Sequence, residues 1–144
     1  MHHTKSHLKP YILPDLPEVT WAYIAGILDG ESNIRQYWVR DTSIGKNYGF
    51  DITVVQSKPN NGELLLTTLK KWLKTGKVSW KSTYRKGFNQ DHSDRGVYLL
   101  RIGGRIAIWK ILEKIRPYLI VKATVTDKIL LYLSETYGQT ATHG

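Results

Sequence analysis

Small residues recur at every fourth position in one stretch of the chain, and this spacing restricts the fold more than any other feature. Residues 21–34 read WAYIAGILDGESNI, in which Ala22, Gly26 and Gly30 are four residues apart. Residues with this spacing lie on one face of a helix, so a second backbone can approach that face more closely than the usual separation of about 8–10 Å. We therefore expect a flat partner to pack on this helix.

The other side chains of the same helix form an apolar stripe at helical spacing, which predicts that the helix also packs on a core. The pattern fits a helix that begins at Val19, with Thr20 able to cap it, and that ends at Gly30. The stripe consists of Trp21, Ile24, Ile27 and Leu28.

The partner of the small-residue face is either another segment of this chain or a second copy of it. The stretch LRIGGRIAIWK contains adjacent glycines but no carboxylate after them, and no other segment repeats the pattern. In a twofold homodimer one patch meets itself, so a single motif satisfies the packing. We therefore predict a dimer interface formed by Ala22, Gly26 and Gly30.

Two carboxylates, Asp29 and Glu31, stand where the small-residue spacing ends. In the predicted dimer the negative helix ends and the two copies of Glu31 would oppose each other, at a cost in free energy unless a cation neutralises them. Hard oxygen ligands of this type select magnesium or calcium. With a polyanionic substrate, such an ion would support phosphodiester hydrolysis. A plain helix end with its acids in solvent is the simpler alternative.

The charge of the chain favours an anionic partner. The 144 residues include 21 Lys and Arg against 12 Asp and Glu, a formal net charge of +9. The length suits one domain, and the absence of cysteine excludes disulfides and thiolate zinc sites. No apolar run approaches the roughly 18 residues of a membrane span. We expect a protein of the prokaryotic cytoplasm or of an organelle matrix, with no membrane partner.

Residues 1–18 are predicted to form an extended N-terminal arm, and residues 19–144 a single domain. The arm contains Pro10, Pro14 and Pro17, which block helix formation. Its histidines lack a metal-binding spacing, so disorder or the remnant of a tag is one interpretation and an arm that crosses a partner's surface is another.

The remaining patterns predict two β-hairpins and three further helices. Alternating side chains indicate strands over 33–41 and 48–56, and again over 77–85 and 98–102. A helix capped by Asn60 or Asn61 and stopped by Gly76 lies between the hairpins, and two more helices end before Pro117 and Gly138. The fold class is therefore α+β, with helices on one side of a four-stranded antiparallel sheet.

The uncovered face of this sheet is predicted to carry cationic and short polar side chains. Cationic groups suit phosphates, short polar groups suit base edges, and a curved ribbon of this kind fits the major groove of DNA. An ordinary solvated sheet face is the alternative. The candidate DNA-binding residues are Arg35, Tyr37, Asp51, Thr53, Ser79, Lys81, Thr83, Arg85 and Arg101.

The segment IAGILDGES, residues 24–32, resembles the LAGLIDADG motif of homing endonucleases, with Glu31 at the position of the metal-binding acid. The resemblance extends from Val19 to Tyr137, because the family fold has the same αββαββα order, a saddle-shaped sheet and trailing helices. It implies an intron-encoded, magnesium-dependent nuclease of the single-motif type. Such members are homodimers that cut long, nearly palindromic double-stranded DNA sites across the minor groove and leave short 3′ overhangs.

The resemblance also implies roles for individual residues. Glu31 and the main-chain carbonyl of Gly30 would bind the Mg²⁺ ion, for which Ca²⁺ or Mn²⁺ could substitute in binding. Gln56, in VVQSK, would order water around the metal, and Lys122, in RPYLIVKAT, would lie near the scissile phosphate. Asp29 resembles a structural acid. The chain departs from the motif at Ser32, which replaces its final glycine, and at Glu31, which replaces the commoner aspartate.

Two other functions remain open on the same fold. Group I intron maturases bind structured RNA and need no cutting, so a basic sheet face does not distinguish them from DNA endonucleases. A noncatalytic DNA-binding regulator would keep the dimer and the sheet but use its acids only at the helix end.

Overall fold

The computed structural model describes residues 9–43, 45–82 and 96–143, and its elements follow the predicted order. The helices are α1 (Glu18–Glu31), α2 (Gly62–Leu73), α3 (Arg105–Ile115) and α4 (Ala123–His143), with short 3₁₀ helices at Lys58–Asn60 and Arg116–Tyr118. The strands are β1 (Ser32–Thr42), β2 (Gly45–Ser57), β3 (Lys77–Ser82) and β4 (Gly96–Gly103). The predicted α+β class and αββαββα order with an additional C-terminal helix are confirmed.

The four strands form one antiparallel sheet in the order β1-β2-β4-β3. Alternate side chains of β2 and β4, such as Ile52 and Leu100, are fully buried beneath the helices. The register pairs these two residues with core neighbours on the adjacent strands, so every strand turns the same face towards the helices. All four helices contribute to the single core, and no helix of the described residues lies on the opposite face.

The apolar stripe of α1 packs on this core as predicted. Trp21, Ile24 and Leu28 are at most 1% exposed. Helix α3 contributes Ile108 and Leu112, both fully buried, to the same cluster. This packing fixes the position of α1 relative to the sheet, and with it the position of the carboxylates that follow.

The ends of α1 differ from the prediction. No side chain caps its start: Pro17 occupies the N-cap position, and its carbonyl accepts a hydrogen bond of 2.9 Å from the backbone N–H of Thr20, inside the first turn. The helix continues through Gly30 to Glu31 and passes directly into β1. The Ser32 hydroxyl closes this end by donating to the Leu28 carbonyl at 2.5 Å, so no left-handed glycine is needed.

The ends of α2 and α4 also need correction. Asn61 holds the N-cap position of α2 but makes no side-chain cap hydrogen bond. Lys74, with φ of 57°, is the left-handed residue that ends α2, whereas Gly76 has φ of 108° and leads into β3. Helix α4 does not end before Gly138 but continues to His143.

Part of the predicted N-terminal arm lies against the domain. Residues 9–17 form no helix or strand, but the Tyr11 hydroxyl donates to the Leu73 carbonyl at 2.7 Å. Lys110 in turn donates to the Tyr11 carbonyl at 2.8 Å. Burial raises the pKa of Tyr11 to about 12, so its hydroxyl stays protonated as a donor. Residues 1–8 lie outside the described residues, and the role of the arm remains a prediction.

Within the described part of the chain, none of the helices is both long enough and apolar enough to cross a membrane.

Candidate nucleic-acid interface and metal centre

Seven of the nine candidate DNA-binding residues belong to the described strands and share the uncovered face of the sheet. In the register, Arg35 is opposite Asp51, Thr53 is opposite Arg101, and Arg101 is opposite Lys77. Tyr37 on β1 and Ser79 and Lys81 on β3 have the same parity, while Thr83 and Arg85 lie outside the described residues. Sequence reasoning omitted Asn33 and Lys77 from this face, although the period-two alternation extends to both.

Asp51 differs from the prediction, because its side chain is fully buried although it belongs to the open face. Two guanidinium groups cover it. Arg35 donates from Nε to Oδ1 at 2.8 Å and from Nη2 to Oδ2 at 2.7 Å, and Arg101 donates from Nε to Oδ2 at 3.1 Å. The hydrogen bonds from Arg35 are the main cause that holds the pKa of Asp51 below its usual value, and Arg101 adds to the effect. The carboxylate is therefore ionised and committed to the two arginines.

Tyr37 supports both arginines of this cluster. Its hydroxyl accepts a hydrogen bond of 3.2 Å from Nη2 of Arg101, and the centre of its ring lies 5.0 Å from Cζ of Arg35. Gly49, its partner in the register, leaves the space for the ring, since a Cβ on Gly49 would lie 2.5 Å from Tyr37 Cζ. We call Arg35, Tyr37, Asp51 and Arg101 the arginine cluster.

The second candidate site lies at the C-terminal end of α1. The carboxylate of Glu31 is exposed, and Nε2 of Gln56 lies 3.5 Å from Glu31 Oε2. Gln56 reaches this position because α1 runs directly into β1, so the end of the helix borders the end of the neighbouring strand β2.

Asp29 brings Lys122 to the same helix end. Its carboxylate oxygens accept backbone hydrogen bonds of 3.1 Å from Ile120 and 2.8 Å from Lys122. The Lys122 ammonium group then donates to the main-chain carbonyl of Asp29 at 3.0 Å. Burial raises the pKa of Asp29, but the hydrogen bonds from the 120–122 backbone lower it by more, so the net shift is downward. Asp29 thus holds together the end of α1 and the segment before α4.

The donor atoms at this helix end suit a hard cation. Glu31 offers an open carboxylate, and α1 ends in backbone carbonyls such as that of Gly30, at the negative end of the helix dipole. Asp29 is unsuitable as a ligand because its oxygens already accept backbone N–H groups. Among the described residues, no group of three or more histidine, aspartate or glutamate side chains could hold a metal ion. One chain therefore supplies one open carboxylate here.

The small-residue face of α1 is uncovered in the single chain. Gly26 and Gly30 are exposed, and a Cβ added to either would meet no atom within 4 Å. Ala22, one turn earlier, is half-buried, and the apolar side chains Val19 and Tyr23 beside it are 76% and 56% exposed. The feature that most restricts the sequence thus has no partner within the described chain.

No protein-family model and no curated protein sequence matches this chain. Several solved structures are similar to it. The homing endonuclease I-CvuI, in complex with its target in the presence of 2 mM Ca, superposes with a TM-score of 0.60 at 22% identity, over 79% of this chain and 65% of that one. The homing endonuclease I-TnaI superposes with a TM-score of 0.58 at 22% identity, over 85% and 76%. The LAGLIDADG homing endonuclease I-SmaMI, bound to cleaved DNA, gives 0.56 at 20%, over 85% and 38%.

This chain has the LAGLIDADG homing endonuclease fold. It spans just under two thirds of the length of I-CvuI. Within this fold the motif-like segment 24–32 covers the last turns of α1 and the first residue of β1. Glu31 is therefore the last helical residue before the sheet.

Proposed function

We propose that this chain is a site-specific endonuclease that hydrolyses double-stranded DNA as a homodimer with a divalent metal ion. The observation that carries the proposal is the meeting of Glu31, Gln56 and Lys122 at the end of α1, within a LAGLIDADG fold. These three residues come from α1, from β2 and from the segment before α4, and they are far apart in the sequence. A plain helix end would not need to gather an acid, an amide and an ammonium group.

The uncovered sheet face would bind the DNA. It carries Arg35 on the edge strand β1, Arg101 on the central strand β4 and the exposed Lys77 and Lys81 on the other edge strand β3, and the chain has a net charge of +9. Among the structures with the same fold, I-CvuI was solved with its target and I-SmaMI with cleaved DNA. A basic sheet face that no described helix covers matches such a ligand.

Magnesium fits the donor set at the helix end. Mg²⁺ usually keeps several waters and takes one or two carboxylates together with phosphate oxygens of the substrate, so a single open carboxylate per chain is compatible with it. Glu31 and the carbonyl of Gly30 would hold the ion, which when bound would supply a hydroxide nucleophile and stabilise negative charge on the phosphate. I-CvuI was crystallised in the presence of Ca and of Mg, which agrees with a hard cation.

The other residues of the site would act on water and on the phosphate. The amide of Gln56, 3.5 Å from Glu31, can orient a water molecule next to the carboxylate. Lys122, held at the Asp29 carbonyl, can place its positive charge near the phosphate or the leaving oxygen. Asp29 would act as a positioning residue, because it touches the 120–122 backbone and not the substrate.

A second copy of the chain would complete the site. The exposed glycines of α1 permit close approach of an identical helix, and that approach would bring the two Glu31 carboxylates to one region. Two negative helix ends and two carboxylates would repel each other, and bound cations would relieve the repulsion. The dimer and the metal are therefore expected to depend on each other.

The test is cleavage of a randomised duplex library by the purified protein, with magnesium and with a chelator, followed by sequencing of the cut ends. We expect magnesium-dependent cutting at a nearly palindromic site. Binding of duplexes that are never cut would support a noncatalytic regulator instead. Binding of structured intron RNA in preference to any duplex would support a maturase.

A further inference from the structure

The arginine cluster spans three neighbouring strands of the uncovered sheet face. Asp51 belongs to β2 and Arg101 to β4, the two central strands of the sheet, and Arg35 belongs to β1 next to them. Asp51 is fully buried, whereas the side chains of Arg35 and Arg101 are 46% and 50% exposed. The cluster thus joins a buried anion to two half-exposed cations.

The hydrogen bonds of the cluster leave one particular edge of each guanidinium group open. Arg35 contacts Asp51 through Nε and Nη2, so Nη1 and the second N–H of Nη2 remain on the outer edge. Arg101 contacts Asp51 through Nε and Tyr37 through Nη2, which leaves the same outer edge. This outer pair of N–H groups matches the O6 and N7 acceptors that guanine presents in the major groove.

The charge and the place of the cluster favour base contacts over phosphate contacts. The Asp51 carboxylate cancels one of the two positive charges, which weakens attraction to phosphates but fixes the orientation of both side chains. A sheet that lies in a groove turns its centre to the base edges and its rim to the backbones. Asp51 and Arg101 lie on the two central strands and Arg35 on the edge strand β1 beside them. Lys77 and Lys81, exposed and with no carboxylate partner among the described residues, lie on the other edge strand β3.

We propose that Asp51 is a positioning residue that presents Arg35 and Arg101 as a paired guanine reader, so that each half-site of the target contains guanines opposite this cluster. Both arginines share one carboxylate, so the guanines belong to neighbouring base pairs. The inference rests on the proposed DNA-binding function and names the bases that this function selects. Tyr37, in the space left by Gly49, contacts both arginines and supports the same geometry.

The first test is selection of bound duplexes from a randomised library in calcium, followed by measurement of affinity for the selected site and for its guanine substitutions. For the wild-type chain we expect guanine at fixed positions of each half-site. Arg35→Lys and Arg101→Lys keep the charge but lose the planar fork, so each should reduce discrimination for guanine by about tenfold or more. Their affinity for unselected DNA should stay within about twofold, because phosphate attraction is retained.

Asp51→Asn separates a positioning role from a structural one. The variant retains both arginines and gains one positive charge, so unselected DNA should bind more tightly, while discrimination for guanine should fall by about tenfold. A misfolded protein would not change these two affinities in opposite directions. Asp15→Asn, an exposed residue outside the sheet, makes the same change in charge and should leave the preference for guanine intact.

The inference is overturned if the wild-type chain binds and cuts a selected site that lacks guanine, an outcome that leaves the proposed function in place. It is also overturned if all three variants keep the wild-type preference, or if the lysine variants weaken every duplex equally. If Asp51→Asn does not fold, the two lysine variants decide alone. If the wild-type chain binds no duplex at all, the proposed function fails and the inference fails with it.

Discussion

The arginine cluster and the C-terminal end of α1 both hold acidic side chains, but only the first is complete within one chain. Asp51 is fully buried and accepts hydrogen bonds from two arginines, so its charge is compensated where it stands. Glu31 is exposed at the negative end of a helix, with the Gln56 amide at 3.5 Å. A satisfied acid organises other side chains, whereas an open acid is available to a cation and a substrate.

The largest expected effect comes from removing the exposed carboxylate of Glu31. Glu31→Gln keeps the shape of the side chain but takes away the ligand charge, so nicking of a plasmid that carries the selected site should fall by about a thousandfold or more. Binding of the site should stay within a few-fold, because the sheet face is unchanged. Glu113→Gln, an exposed acid on α3, is the matched control and should cut normally. A fully active Glu31→Gln protein would remove the metal role from this residue.

The next effect tests whether the helix end needs a second copy. In the single chain a Cβ at Gly26 meets no atom within 4 Å, so Gly26→Leu should fold, yet its bulk should keep two α1 helices apart. We expect sedimentation to give the mass of one chain, with loss of cutting. Gly26→Ala keeps a small side chain, as at Ala22, and should remain a dimer. An unchanged dimer mass for Gly26→Leu would refute the proposed interface.

The hydrogen-bonded carboxylate of Asp51 should contribute measurably to the free energy of unfolding. Because the pKa of Asp51 is lowered in the folded state, its contribution is fully present above the unfolded pKa of about 3.9 and is lost as the pH falls through the folded pKa. In urea unfolding, Asp51→Asn should therefore be about 1–2 kcal/mol less stable than the wild type near pH 7, and the gap should close in acid. A gap that is equal at neutral and acid pH would contradict the ionised cluster.

The smallest effect concerns the lysines of the edge strand β3. Lys81 is exposed on the edge strand β3, so Lys81→Ala should weaken all duplexes alike and reduce the salt dependence of binding by about one phosphate contact. Lys128→Ala, on the exposed side of α4, should leave the slope unchanged. If Lys81→Ala changed base preference instead, the division between base-reading arginines and phosphate-binding lysines would need revision.

Periodicity was enough to predict the order of the elements and the faces of the sheet. Alternating side chains placed Leu100 and Ile102 inside and Arg101 outside, and the register confirms this arrangement. Helix ends were less predictable, because they depend on single contacts. Ser32 closes α1 through its hydroxyl, and Lys74 adopts a left-handed conformation that the sequence assigned to Gly76.

The candidate site could be predicted only in part for a related reason. The motif-like segment located Glu31, and the same reasoning named Gln56 and Lys122, which the fold brings to one helix end. Alternation alone predicted an exposed Asp51, since a pattern of faces cannot show that two arginines from neighbouring strands cover a carboxylate. Asp51 accepts three hydrogen bonds from arginines on the two adjacent strands, and this arrangement depends on the register of the sheet.

The most direct measurement compares cutting of two duplexes by the wild-type chain in magnesium: one with both half-sites of the selected target and one with a single half-site beside unrelated sequence. If the sheet site is complete in one chain and the helix end requires two, both duplexes should bind, and only the first should be cut efficiently. Equal cutting of the two duplexes by protein with the mass of a single chain would contradict the account.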